Sequence, residues 1–172
     1  MPTVLNPAQL RTALPDLHTT LHLPGLEQPV EICRDPWGIP HIRAATEGDL
    51  FFAQGFATAQ DRLWQMDFDR HQALGRWAEW AGPAGVARDR LLRASGMAQT
   101  AQADLRVASP QAQRMAEVYA QGVNAFLATT RSLPIEYTLL EEKPEPWEAW
   151  HCHKSCVPSR KPASADRTRR SS

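Results

Sequence analysis

The 172 residues carry 42% apolar side chains, enough for one modest domain, and no window of about 18 apolar residues that would read as a membrane span. Three cysteines (Cys33, Cys152, Cys156) make no complete disulfide framework, so a reducing compartment is the simpler expectation. The zero net charge conceals an asymmetry: residues 1–150 hold 13 Lys plus Arg against 18 Asp plus Glu, and residues 151–172 hold 6 against 1.

Residues 1–20 read as a flexible lead-in with a short helix around Pro7 to Ala13. Val30 to Arg34 alternates apolar and polar residues, Pro36-Trp37-Gly38 interrupts, and Ile39 to Ala44 resumes the extended pattern, which predicts a short β-hairpin. Thr46 followed three residues later by Asp49 predicts a capped helix start, with the Asp49 carboxylate reaching back in a capping box. Phe52, Phe56, Ala59, Leu63, Met66 and Arg70 then recur at helical spacing, so one face packs on the hairpin while Gln54, Asp61, Arg62 and Asp69 point elsewhere.

Pro83-Ala84-Gly85 predicts a turn, and Asp89 to Leu105 a single helix with Leu92, Met97 and Ala101 as partial apolar contacts, against which the low helix propensity of Ser95-Gly96 counts. Ser109 before Pro110 is a start signal for a helix to Ala128, with Met115, Val118, Tyr119, Val123, Phe126 and Leu127 in a stripe. After Pro134, IEYTLL reads as a short strand or irregular segment, and KPEPWEAW as a turn into a helix that does not arrive. From His151 the chain turns basic and nearly devoid of apolar residues, so residues 151–172 are expected to be a disordered tail.

The ordered segments RDPWGIPHIRA, GDLFFAQGFATAQDRLWQMD, RHQALGRWAEWAG and YAQGVNAFL resemble the penicillin amidase family of N-terminal nucleophile hydrolases, at the start of the α chain, over Leu23 to Trp150. The resemblance implies a helix-rich α+β fragment of an αββα fold, occupying residues 21–150, from an amide hydrolase whose precursor cuts itself into α and β chains. The nucleophile implied is a Ser at the β-chain N-terminus, activated by its own α-amine, whose ordinary pKa of about 8 leaves a neutral fraction near pH 7. That β chain is the implied partner, Ca²⁺ is implied for full-length relatives, and linear amides such as β-lactam side chains or N-acyl homoserine lactones are the implied substrates. The β chain of the family opens with Ser-Asn, and none of Ser95, Ser109, Ser132, Ser155, Ser159, Ser164, Ser171 or Ser172 precedes an Asn. No catalytic, cofactor-binding or metal residue is therefore assigned, and the chain alone is expected to be inactive. The acyl pocket and the Ca²⁺-binding acid of the α chain would lie beyond Trp150. Many relatives are exported, yet the first twenty residues lack a charged-then-apolar leader pattern, so a cytoplasmic location is expected. The competing reading is a noncatalytic interaction fragment or a degenerate truncated product.

Several constellations invite function, and each has a plainer reading. Arg34, Asp35 and His41 suggest a charge relay but lie on one hairpin, which favours ion pairing and turn formation. Asp61-Arg62 is expected to join Arg34 or Asp35 in a fold-locking network. Trp64, Trp77 and Trp80 suggest a ligand shelf, but their spacing favours core or β-chain contacts. His151, Cys152, His153 and Cys156 carry ligand chemistry without zinc-site spacing, and Arg160, Lys161, Arg167, Arg169 and Arg170 lack interleaved aromatics, so neither metal nor nucleic acid is expected as a partner. Strand edges and aromatic faces around Phe52, Phe56 and Trp77 are expected to be left partly uncovered without the β chain.

Overall fold

The computed structural model describes residues 19–154, so the lead-in helix, Cys156 and the basic residues of the tail lie outside the described residues. Strand β1 (Glu31–Arg34) pairs antiparallel with β2 (Pro40–Arg43), placing Ile32 opposite Ile42 and Cys33 opposite His41. The period of two sends Ile32 and Ile42 inward and leaves Glu31, Cys33, His41 and Arg43 on the outer face. These are the two strands of the sheet, so both outer edges are unpaired among the described residues.

Helix α1 (Glu47–Ala73) starts where Thr46 accepts the Asp49 amide at 3.0 Å. The Asp49 carboxylate does not close the expected capping box. It accepts the Thr46 hydroxyl at 2.8 Å and the amides of Glu27 and Gln28 at 2.8 and 3.1 Å, anchoring the incoming segment to the helix N-terminus. A buried anion there is favoured by the free amides and the helix dipole. The stripe from Phe52 to Met66 is buried as its spacing predicts, but the backbone leaves helical geometry at Arg62 (φ −139°, ψ 20°). One turn upstream the Thr58 hydroxyl donates to the Gln54 carbonyl at 2.7 Å, a back-bond of the kind that bends helices.

After α1 come α2 (Ala78–Ala81), a 3₁₀ turn (Gly82–Gly85), α3 (Val86–Ala94) and α4 (Met97–Val107). The single helix expected from Asp89 to Leu105 is thus two, because Gly96 adopts a left-handed conformation (φ 67°) between them. Gly75 (φ 63°) turns the chain out of α1 so closely under α3 that a Cβ would overlap the Asp89 carbonyl oxygen, and the Asp89 carboxylate then accepts the amides of Trp77 and Ala78 at 3.0 and 2.6 Å.

Helix α5 (Pro110–Thr129) carries the Ser109 cap and crosses α1 closely enough that a Cβ on Gly55 would overlap the Tyr119 carbonyl oxygen, and one on Gly122 that of Phe52. Phe56 meets Phe126 edge to face at 5.6 Å, and Ala59, Leu63, Met66 and Val123 complete the core with Tyr137 and Trp147. Phe52 and Phe56 are therefore covered by α5 of the same chain and are not the open faces expected of them. The segment IEYTLL is helix α6 (Ile135–Leu140) rather than strand or coil; Pro134 precedes its first turn and Tyr137 is buried against α1. A last short helix, α7 (His151–Lys154), also runs against expectation: His151 is buried beside Trp147 and Trp150, and the Cys152 thiol lies 3.8 Å from the Ala116 carbonyl. Among the described residues no helix is long and apolar enough to cross a membrane.

Candidate functional site

The hairpin places its charged residues in reach of α1. Arg34 donates through Nη1 to the Gly38 carbonyl and Asp61 Oδ2, both at 2.9 Å, and through Nη2 to Gln60 Oε1 and Asp61 Oδ1, both at 2.7 Å. One guanidinium thus locks turn, strand and helix together, as the fold-locking reading of Asp61 expects; Arg62 takes no part in it. Asp35 accepts the amides of Trp37 and Ile39 at 2.9 Å each and stands 3.3 Å from His41 Nε2. The Ile39 amide above all, with help from His41 and Trp37, holds its carboxyl below the usual range. Arg34, Asp35 and His41 accordingly shape a turn, and among the described residues no hydroxyl pairs with His41 to make a relay. Cys33 faces His41 across the strands, but a hydrogen bond with Glu31 pushes its thiol pKa up, the opposite of what a thiolate nucleophile needs.

A second cluster, buried between α1, α6 and residues 145–147, was legible only through Arg70 standing in an apolar stripe. Asp67 Oδ1 accepts Arg70 Nε at 2.9 Å and Nη2 at 2.6 Å, and Oδ2 accepts the Tyr137 hydroxyl at 2.8 Å. Burial pushes the Asp67 carboxyl up, but the donors from His71, Arg70 and Tyr137 outweigh it and leave the group below its ordinary value. Arg70 also donates to the carbonyls of Pro146 and Glu145 at 3.0 and 3.2 Å, and its guanidinium lies 4.8 Å over the Trp147 ring. His71 Nδ1 lies 2.9 Å from the Asp67 carbonyl, and the ring stacks on Trp80 at 3.7 Å. Trp80 stacks in turn on Trp64 at 4.7 Å, while Trp77 packs edge-on to Phe68 at 4.9 Å and to Trp80 at 6.2 Å, so the three half-buried tryptophans pack on one another, as the contact reading of them expects. Around the rim, Arg76 pairs with Glu79 and Glu145.

Chemically, these carboxylates are spent. Asp49 and Asp89 hold backbone amides, Asp61 and Asp67 hold arginines, and the hydroxyls of Ser95 and Ser109 engage local backbone. Among the described residues no three potential ligands gather into a metal group, and the side chains of Cys156 and His153 are outside the description. A groove of about 240 Å³ between α1 and α5 is floored by Phe51, Met115 and Val118 and rimmed by Glu47, Gln111 and Arg114; the hydroxyl on its lining, that of Thr46, is engaged by Asp49.

Sequence analysis overlooked Asp67, His71 and Tyr137, and the reciprocal bonds of Asn124 with the Trp147 backbone (2.8 and 2.7 Å). The available signal was the i,i+3 spacing of Asp67 and Arg70, since a charge on a buried helix face needs a partner within a turn. Tyr137 and Asn124 act over separations of 70 and 23 residues and had no local signal.

A two-stranded hairpin is clamped by Arg34 onto a long kinked helix, which a second helix crosses at paired glycines. Comparison with known proteins identifies it: the penicillin amidase family matches residues 29–156, and the chain belongs to that family. It is 50% identical over 83% of its length to the penicillin acylase 2 proenzyme of Pseudomonas sp. (strain SE83), and 41% identical over 79% to the acyl-homoserine lactone acylase QuiP of Pseudomonas aeruginosa. The chain spans 18% and 16% of those two relatives. Among solved structures, a thermostable penicillin G acylase from Alcaligenes faecalis superposes with a TM-score of 0.70 at 33% identity, covering 78% of this chain and 73% of that one.

Proposed function

We propose that this chain supplies the N-terminal scaffold of a linear-amide hydrolase whose nucleophilic Ser is carried by a separate β chain, and that the 172-residue polypeptide does not turn over amides alone. The observation that carries this is the 50% identity to a penicillin acylase proenzyme over most of this chain but only 18% of that relative. The engagement of the buried carboxylates in structural bonds supports it. The β-lactam side-chain amide and the acyl amide of a homoserine lactone are the substrate classes proposed, after the two relatives, with water resolving the acyl-enzyme. Ca²⁺ does not fit the described residues, whose buried acids are occupied by amides, arginine and tyrosine, so any Ca²⁺ of the assembled enzyme is proposed to bind elsewhere.

The test is release of a chromogenic amine from acyl amides by the purified chain, with mass spectrometry for a new N-terminal Ser. Neither is expected. Turnover that persists through purification and is lost on a Ser→Ala replacement would place the nucleophile inside this chain and overturn the proposal.

A further inference from the structure

The outer face of the hairpin carries ligand chemistry. Cys33 on β1 stands directly opposite His41 on β2, and both point outward: the thiol is exposed and the imidazole is 64% exposed. Directly opposed residues of an antiparallel pair have Cβ atoms about 5 Å apart, which lets one ion reach a sulfur and a ring nitrogen together. His41 is already oriented, because its Nε2 lies 3.3 Å from Asp35 Oδ2 and the Asp35 carboxylate is itself fixed by the amides of Trp37 and Ile39. A carboxylate on one ring nitrogen fixes the tautomer and leaves the other nitrogen as the lone-pair donor; that nitrogen, Nδ1, has no partner among the described residues. Beside the pair on the same face, Glu31 and Arg43 stand 3.8 Å apart as a loose ion pair, 61% and 85% exposed.

We infer that Cys33 and His41 are half of a zinc site, which a second copy of this chain completes with its own Cys33 and His41. Two ligands fall short of the four that zinc takes in a closed site, and among the described residues no third ligand gathers with them. The charges on the face are what suit it to another copy of itself. A two-fold axis along the strands, midway between two such faces, sets Cys33 of one copy over His41 of the other and, in the same register, Glu31 over Arg43. Two thiolates and two neutral imidazoles balance the charge of Zn²⁺, and each thiol gives its proton to solvent as its Zn–S bond forms, with no change of oxidation state. Ca²⁺ and Mg²⁺, which take oxygen ligands, do not suit the pair. The site needs no β chain, so it stands or falls apart from the proposed function.

The experiment titrates Zn²⁺ into the purified 172-residue chain, reduced and stripped of metal, with affinity read by competition against a chromogenic chelator and mass by sedimentation. The chain is expected to dimerise with one zinc per two chains, to return to monomer in excess chelator, and to ignore Ca²⁺ and Mg²⁺. Cys33→Ser and His41→Ala are expected to weaken zinc-dependent dimerisation by more than about tenfold, the loss that follows removal of even an outer partner of a metal ligand. Their far-ultraviolet circular dichroism spectra should be unchanged, since both side chains are exposed. Arg43→Glu is expected to weaken the dimer, and Arg43→Glu with Glu31→Arg to restore it. Cys152→Ser with Cys156→Ser, which removes the other two thiols, should leave zinc binding unchanged. Zinc held by a monomer, zinc binding lost only with Cys152 and Cys156, a dimer indifferent to the charge reversals, or no zinc binding at all would each overturn the inference.

Discussion

Asp67 shows how a charge is kept inside a small protein. Its oxygens receive Arg70 and Tyr137, and Arg70 passes the connection on to residues 145 and 146. Removing Arg70 while Asp67 remains leaves a buried carboxylate with a lost partner, so Arg70→Met is expected to destabilise by about 3–5 kcal/mol, and Asp67→Asn with Arg70→Met by clearly less, in urea titrations. The pH dependence follows the same group. The Asp67, Glu79 and Glu145 carboxyls are all held below their ordinary values in the folded chain, so the unfolded chain binds more protons in acid. Their contribution is complete above the unfolded carboxylate value of about 4 and is lost as pH falls through the lower folded values. The urea midpoint should hold from pH 7 to about 5 and fall below about 4, and Asp67→Asn should flatten that fall more than Glu79→Gln, since Glu79 is solvent-screened. Trp147 supplies a further residue-scale test: its buried indole N–H has no acceptor among the described residues, so Trp147→Phe keeps the ring over Arg70 and should cost far less than the about 3–5 kcal/mol of Trp147→Ala.

Among the elements, the crossing of α1 and α5 decides the packing. Gly122→Ala gains about 1 kcal/mol of helix propensity. It also drives a methyl group into the Phe52 backbone carbonyl, which cannot rotate away as a side chain would. Overpacking of about 1–3 kcal/mol should win, lowering the melting midpoint. Gly48→Ala, where the nearest obstacle is the Thr46 hydroxyl 3.8 Å away, should leave it level or raise it. The hairpin, the Thr46 start of α1 and the Ser109–Pro110 start of α5 were legible because period, cap and proline signals act within four residues. The two missed helices have a common cause. Ile135–Leu140 and His151–Lys154 are short, and both are held by partners distant in the chain, Asp67 for Tyr137 and Ala116 for Cys152.

For the molecule as a whole, α7 shifts the boundary of what packs. Chains ending at Trp150 and at Lys154 are expected to differ: the shorter loses the His151 ring between Trp147 and Trp150 and the Cys152 contact on α5, and should melt several degrees lower. Equal midpoints would show that residues 151–154 add nothing to the fold. Phe52 and Phe56 are buried, and the most exposed large apolar side chains are instead Trp37 and Ile39 at the hairpin tip and Leu91 and Val107 on α3 and α4.

The hairpin, the Thr46 start of α1, the Ser109–Pro110 start of α5 and the family itself were determined by the sequence alone, because each depends on neighbours in the chain or on ordered motifs. The absence of a Ser-Asn pair was equally open to reading there. Only the tertiary structure decided which polar residues are buried and what they hold. Asp67, Arg70 and Tyr137 form one lock although 70 residues separate the tyrosine from the carboxylate, and Asp49 holds backbone amides more than 20 residues upstream. Burying a charge is tolerable only when all its partners arrive together, and that coincidence belongs to the packed chain, since local spacing shows the Asp67–Arg70 pair but not the distant partners.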